Sequence, residues 1–104
     1  MSSSLAAIIL AHNEAENIVE CIESVRWTGR VVVVVDTRTS DATAELASQA
    51  GAEVLFNRFE NYAQQRNAAL ALVETEWVFF VDADERSTPA QAKEIRAILA
   101  GPAH

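Results

Sequence analysis

The feature that most constrains the fold is a run of five consecutive valines, residues 31–35. Valine branches at its β-carbon, and this stiffness favours a strand over a helix. A strand with one solvent-facing side alternates apolar and polar residues, whereas this run is apolar throughout. Such a strand is typical of a parallel sheet that is covered by helices on both faces. The run therefore predicts an α/β fold.

The rest of the chain alternates between strand-like and helix-like segments. Three other apolar runs are typical of short strands: 5–11, 53–56 and 77–81. Four segments between and after the strands have helical patterns: about 15–26, a segment that includes Leu46, Ala47 and Ala50 and stops at Gly51, Tyr62–Val73, and one that starts after Thr88 and has Ile95 and Leu99 on its inner face. The order predicts a three-layer, Rossmann-like parallel sheet of about four strands in a single domain, residues 1–104.

Local signals refine these helices. Asn13 and Glu16 have the spacing of a capping box for the first helix, and Ser40 or Thr39 is the expected cap of the second. Thr88-Pro89-Ala90-Gln91 is a strong start for the last helix, which Gly101-Pro102 should end. Cys21 lies on the apolar stripe of the first helix, which favours a buried structural thiol over a reactive one.

Composition limits the classes of partner. Half of the 104 residues are hydrophobic and 22% are charged, which favours a globular fold over disorder. The formal net charge of −7 argues against a nucleic-acid-binding surface, because such surfaces need clustered Lys and Arg. No apolar run approaches the roughly 18 residues of a membrane span, and the N-terminal residues lack a basic signal-peptide region, so a cytoplasmic location is expected.

Carboxylates follow two of the predicted strands. Asp82, Asp84 and Glu85 come directly after the last strand, and Asp36 ends the valine strand. In parallel sheets the carboxyl ends of the strands share one edge, where ligands bind near the reversal of strand order. Residues i and i+2 of an extended segment point to one side, so Asp82 and Asp84 suit a divalent cation that binds phosphate oxygens.

Each of these acids also has a structural interpretation. Acidic residues commonly sit at solvated strand ends and helix caps, and Asp-x-Asp alone is a weak motif. Asp36 is left available to accept from a ligand if Ser40 or Thr39 caps the second helix. Arg66 is most often a solvated helical residue, although it could reach a phosphate from the sheet edge. No glycine-rich phosphate loop is present in the sequence.

Four motifs in order resemble the large inverting, nucleotide-sugar-dependent glycosyltransferase family 2, which has the GT-A fold. They are Ile8–Ile18 with its His12-Asn13-Glu14, Val33–Asp41, Gln65–Leu70, and Trp77–Arg86 with its Asp-x-Asp element. The last is closest in character to members that glucosylate lipopolysaccharide cores. The resemblance spans about residues 5–100 and is far more specific than any single motif.

The resemblance implies a role for each matching position. Asn13 and Glu14 would lie against the nucleotide, Asp36 would accept from a uracil-type base, and Arg66 would help frame the nucleotide. Asp82 would contact the ribose, and Asp84 would coordinate Mn²⁺ or Mg²⁺ on the diphosphate. The implied partners are a nucleotide-diphosphate sugar and a glycan or lipid-linked acceptor, at a cytoplasmic site or the cytosolic face of a membrane.

The chain departs from the family in two ways. Arg38 stands where members commonly have Gly, so it would be strained if that position needed a positive φ, and would otherwise add a cation near the phosphates. The family domain is also about twice this length, near the upper end of ordinary domains. The missing half would supply the acceptor site and the catalytic base, so no catalytic residue is assigned and the chain is expected to be the donor-binding half.

Two other functions stay open. A non-catalytic module could use the unpaired edge of its last strand for self-association or oligomerisation. A nucleotidyltransferase of related architecture would be expected to carry a glycine-rich or basic loop after the first strand, and that loop is absent from the sequence.

Overall fold

A computed structural model of the protein describes residues 5–73, 75 and 77–100. Four parallel strands form one sheet in the order β3-β2-β1-β4. The strands are β1 (Leu5–Ala11), β2 (Arg30–Val35), β3 (Glu53–Phe56) and β4 (Trp77–Asp82). The predicted α/β fold and its four parallel strands are confirmed.

A helix follows each strand, as the alternation predicts. The helices are α1 (Ile18–Val25), α2 (Thr43–Gln49), α3 (Tyr62–Leu72) and α4 (Pro89–Ala100), and a short 3₁₀ helix (Arg26–Thr28) extends α1. None of the helices in the described ranges is long and apolar enough to cross a membrane. The predicted end of the last helix at Gly101-Pro102 lies outside the described residues.

The valine strand is covered on both faces, as its composition predicts. Val31, Val33 and Val35 belong to an apolar cluster shared with α1 and α2. Val32 and Val34 point the other way and belong to a second cluster that includes Ala69 of α3. All five valines are buried because successive side chains of a strand point to opposite faces.

Cys21 is a core residue. It is fully buried in the first cluster, with Ile18, Ile22 and Val25 on the same stripe of α1. Burial raises the pKa of its thiol to about 11, because the thiolate would lose its hydration. The expected structural role of this cysteine is confirmed.

Two expected helix caps are wrong. Asn13 adopts a left-handed conformation with φ of 52°, and a turn at Glu14 delays the start of α1 until Ile18. The turn after β2 is also longer than expected, so α2 starts at Thr43. Asp41, rather than Ser40 or Thr39, accepts from the Thr43 backbone N–H at 3.0 Å.

Other helix ends behave as expected. Gly51 follows α2 with φ of 93°, a conformation that favours glycine. Thr88 caps α4 by accepting from the Gln91 backbone N–H at 3.0 Å. Asn61 caps α3 in the same way through Gln64, at 2.8 Å, and the sequence analysis did not identify this cap.

The strand register sets where the loops leave the sheet. Ala11 at the end of β1 pairs with Val35 at the end of β2, and Leu10 pairs with Asp82 at the end of β4. The three strands therefore end at nearly the same level. As a result, the loops that follow them meet at one edge.

We expect Ile9→Ala to lower the free energy of unfolding by about 2–5 kcal/mol, because Ile9 is fully buried and truncation leaves a cavity. Ile98→Ala is the matched control on α4, where the side chain is 69% exposed, and it should change stability by less than about 0.5 kcal/mol. Urea unfolding of both variants checks this. Equal losses would contradict the assignment of the core.

Candidate functional site

A cavity of about 600 Å³ opens at the carboxyl edge of the sheet. Its walls come from the residues that follow β1, β2 and β4, together with the segment after β3. The lining residues are Leu10, Ala11, His12, Asn13, Glu14, Asp36, Arg38, Phe59, Tyr62, Gln65, Asp82, Ala83 and Asp84. Asp36 and Asp84 thus line the same cavity, as the strand-end rule predicts.

The loop after β1 is braced against the loop after β2. The Asn13 side-chain oxygen accepts from the Ser40 backbone N–H at 2.8 Å, and the Glu14 backbone N–H donates to the Thr43 hydroxyl at 2.9 Å. Asp41 accepts from the Ala15 backbone N–H at 3.1 Å, and its hydrogen bond with the Thr43 side chain lowers the pKa of the carboxyl. These contacts hold the backbone at Asn13 and Glu14 beside the cavity.

Asp36 is buried and surrounded by donors. One carboxylate oxygen accepts from the backbone N–H and Nε of Arg38, at 3.1 and 3.2 Å, and from the Phe59 backbone N–H at 3.4 Å. The other oxygen accepts from Arg38 Nη2 at 2.9 Å and lies 3.6 Å from His12 Nδ1. The Arg38 side chain is the largest cause of a pKa near 2 for Asp36.

Arg38 does not have the positive φ that would strain its backbone. Asn13 is the single non-glycine residue with a positive φ in the described ranges. The Arg38 guanidinium pairs with Asp36 and also donates from Nη2 to the Phe59 carbonyl at 3.0 Å. Arg38 therefore ties the segment after β3 to the end of β2.

An aromatic wall flanks this ion pair. The rings of Phe59 and Tyr62 meet edge to face, with centroids 5.1 Å apart. Gln65, which also lines the cavity, is buried and exchanges two hydrogen bonds with Asn57, at 2.7 and 3.1 Å. Sequence reasoning missed this wall, although the segment follows β3 and the strand-end rule applies to β3 as well.

The opposite end of the cavity is acidic. The Glu85 carboxylate accepts from the Asp82 backbone N–H at 2.8 Å, which closes the turn after β4. Desolvation first, and then repulsion from Glu85 and Asp84, raise the pKa of the Asp82 carboxyl. Asp84 is exposed and makes no hydrogen bond or ion pair with the described residues. A cation would relieve this repulsion.

Arg66 does not line the cavity. Its guanidinium lies over the Phe80 ring, 5.4 Å from the centroid, on the α3 side of the sheet. It remains close enough to lower the pKa of Asp82 slightly against the acidic neighbours. The role expected of Arg66 in framing a nucleotide is not visible as a cavity contact.

A metal ion at this edge would need ligands in addition to the described side chains. The described residues contain no group of three or more His, Cys, Asp or Glu side chains that could hold one alone. Mg²⁺, however, is commonly bound by one or two carboxylates together with phosphate oxygens and water. Asp84 and Asp82 fit that kind of site and do not fit a complete protein cage.

Comparison with known proteins identifies a family. The profile described as "Glycosyl transferase family 2" matches residues 6–102. An uncharacterized glycosyltransferase of Rickettsia felis is 34% identical over 96 residues, which cover 92% of this chain and 34% of the relative. A lipopolysaccharide core biosynthesis glycosyltransferase of Rhizobium meliloti is 33% identical over 101 residues, which cover 92% of this chain and 37% of the relative.

The matches also differ from this chain in length. The chain spans about a third of the length of curated relatives that it matches. The aligned part contains the whole cavity lining, residues 10–84.

We expect Asp36→Asn to destabilise the protein in a pH-dependent manner. The folded-state pKa of Asp36 is near 2 and the unfolded value is about 3.9, so the ionised carboxylate stabilises the fold above pH ~4. That stability, about 1–2 kcal/mol, should be lost as the pH falls from ~4 to ~2. The measurement is urea unfolding of both proteins across this range.

Glu94→Gln, on the exposed surface of α4, is the control and should change stability by less than about 0.5 kcal/mol. A difference between wild type and Asp36→Asn that stayed constant from pH 2 to pH 7 would contradict the assigned ion pair.

Proposed function

The chain belongs to glycosyltransferase family 2, and we propose that its cavity binds a nucleoside-diphosphate sugar, most simply a UDP-sugar, through a divalent cation. The observation that carries this proposal is the exposed Asp84 carboxylate, which faces the cavity beside Asp82 without a partner among the described residues. A polyphosphate approaching a chain of net charge −7 needs a bridging cation at such a point.

The nucleotide contacts are proposed along the edge of the sheet. Asn13 and Glu14 lie against the nucleoside, Asp36 belongs to the base end of the cavity, and Asp82 meets the ribose. These four line one cavity, which supports the assignment. Arg66 is proposed to act from outside the lining, through its charge near Asp82.

The proposed metal is Mn²⁺ or Mg²⁺, with Asp84 as its protein ligand. Such an ion supplies Lewis-acid stabilisation of the charge on a departing nucleoside diphosphate. The contribution of the chain itself is to hold the carboxylates at the strand tip and to keep the nucleoside between the loops after β1 and β2.

The acceptor is proposed to be a glycan or a lipid-linked sugar. The name of the Rhizobium meliloti relative, which refers to lipopolysaccharide core biosynthesis, supports a cell-envelope product. No described residue is assigned as the base that activates the acceptor hydroxyl. We therefore expect the 104-residue chain to bind the donor but to transfer little or no sugar by itself.

We expect UDP with Mn²⁺ to raise the melting temperature, because a ligand that binds only the folded state stabilises it by about 2.7 kcal/mol at a hundred times its Kd. Asp84→Asn should abolish the part of the shift that requires Mn²⁺. Differential scanning fluorimetry with UDP alone, Mn²⁺ alone and both together measures this dependence.

Glu94→Gln is the matched acidic control and should keep the full shift, because Glu94 lies outside the cavity lining. The proposal fails if millimolar UDP and Mn²⁺ produce no shift in the wild-type chain, or if Asp84→Asn retains the metal-dependent part.

The alternative function is an oligomerisation module. Among the described strands β4 pairs with β1 alone, so it forms one edge of the sheet, and Trp77 at its start is 50% exposed. An exposed edge of this kind can add another strand. A substitution such as Phe79→Lys, made to block this edge, would also disturb the packing of the core. The solution mass of the unaltered chain is therefore the better measurement.

Light scattering at two concentrations tests this alternative. A monomer of about 11.3 kDa at both concentrations would count against the module. A stable dimer that persists on dilution would favour the module.

A further inference from the structure

We propose that Arg86 is a positioning residue for the acidic end of the cavity. Together with Asn17, it sets the position of Asp84 relative to the loop after β1, and so determines how well the cavity binds a cation-bound diphosphate. This inference rests on the proposed function and adds to it a residue outside the cavity lining. The argument depends on the four groups that the Arg86 guanidinium meets.

Arg86 clamps the backbone on both sides of Asp84. Its Nη1 donates to the Ala83 carbonyl at 3.0 Å and to the Glu85 carbonyl at 2.8 Å. Nη1 carries two N–H groups, so each carbonyl can have one. Asp84 stands between these two residues in the chain, and its own carboxylate makes no hydrogen bond or ion pair with the described residues while it lines the cavity. The backbone at Asp84 is therefore held in place, and the carboxylate stays available to a cation.

The other terminal nitrogen of Arg86 connects this turn to the loop after β1. Nη2 donates to the Asn17 side-chain oxygen at 3.2 Å, and Asn17 Nδ2 donates to a Glu14 carboxylate oxygen at 3.0 Å. A guanidinium only donates and a carboxylate only accepts, so one orientation of the Asn17 amide satisfies both. Arg86 and Asn17 are 69 residues apart in sequence. The pair thus fixes the loops after β1 and β4 relative to each other.

Arg86 acts through these neighbours and not by touching a ligand. Its side chain is 31% exposed, and the exposed side lies toward Glu20 of α1, whose carboxylate is 3.6 Å from Nη2. It does not line the cavity. Because Asp84 is the proposed metal ligand, a change at Arg86 should affect the metal-dependent part of nucleotide binding. Binding without metal does not use Asp84 in this way and should change little.

The charge of Arg86 alone has the opposite consequence. Burial is the largest influence on the pKa of Cys21, but Arg86 lowers that pKa whereas Glu85 and Asp84 raise it, so these charges lie close together. A positive charge near a metal site repels the metal. If charge were the only contribution of Arg86, its removal would tighten metal-dependent binding. Positioning predicts that binding weakens, so the sign of the change separates the two effects.

Arg86→Lys separates geometry from charge. Lysine keeps the positive charge, but its donors all come from one nitrogen, whereas arginine holds its donors on separate nitrogens in a planar fork. One ammonium cannot reproduce the contacts with two backbone carbonyls and with Asn17. The turn around Asp84 should then lose part of its preorganisation, which lowers affinity for the cation-bound ligand.

NMR titration of the 11.3 kDa chain with UDP, in saturating Mg²⁺ and again in EDTA, tests this proposal. We expect Arg86→Lys and Arg86→Gln each to weaken UDP binding in Mg²⁺ roughly ten-fold, since hydrogen bonds from a charged donor are lost. In EDTA each variant should bind UDP within about three-fold of wild type. Arg58→Lys is the matched control at an arginine that is 69% exposed and outside the lining, and it should leave both affinities unchanged.

Asn17→Asp decides the question if the NMR spectra show that the Arg86 variants fail to fold. Asn17 precedes the first residue of α1, where aspartate is as good a cap as asparagine. The variant keeps an acceptor for Arg86 but puts a repelling carboxylate against Glu14. Its added negative charge would by itself attract the cation, so weaker UDP binding in Mg²⁺, by about three-fold or more, supports positioning.

The outcomes that overturn the inference differ from those that overturn the proposed function. Unchanged or tighter UDP binding in Mg²⁺ by a folded Arg86 variant, or by Asn17→Asp where it replaces them, overturns positioning and leaves the proposed function intact. Equal weakening in Mg²⁺ and in EDTA also overturns it, because the change would then not act through the metal site. Failure of the wild type to bind UDP, or binding that Mg²⁺ does not strengthen, removes the proposed function and the inference together.

Discussion

Parallel pairing of β1 with β2 and β4 is the constraint on which the rest of the structure depends. The register aligns Ala11 with Val35 and Leu10 with Asp82, so three chain reversals occur at one level. Because each strand runs in the same direction, all of their polar ends meet at one edge. The cavity is the space between those reversals. Because the strands themselves are buried and apolar, the polar side chains lie at the strand ends, where they line the cavity.

The charges within the cavity divide it into two ends. At the β2 tip, Asp36 and Arg38 neutralise each other, and the pair is joined to the aromatic segment at Phe59. At the β4 tip, desolvation raises the pKa of the Asp82 carboxyl, and repulsion from Glu85 and Asp84 raises it further. One end therefore suits an uncharged ring, and the other suits a cation with its phosphates. This distribution of charge supports the proposed binding of a nucleoside diphosphate.

Much of this arrangement could be predicted because it depends on local patterns. The valine run specified a strand buried on both faces, and the alternation of elements specified the parallel sheet that gathers Asp36 and Asp84. The helix starts at Ile18 and Thr43 could not be read in the same way. They depend on contacts between loops 26 to 29 residues apart, through Asn13, Asp41 and Thr43, and such contacts leave no periodic signal.

The sequence by itself determined the sheet, its direction and the acidic character of the β4 tip, since these follow from side-chain shape, burial and chain order. Only the tertiary structure decided what each polar group has left to offer a ligand. The sequence suggests Asp36 as an acceptor for a ligand, but in the folded chain its carboxylate accepts hydrogen bonds from Arg38 and from the Phe59 backbone N–H. The Arg66 guanidinium lies over the Phe80 ring and outside the cavity lining, which the sequence did not indicate. Hydrogen-bonding capacity depends on neighbours in space, and only the folded chain supplies those.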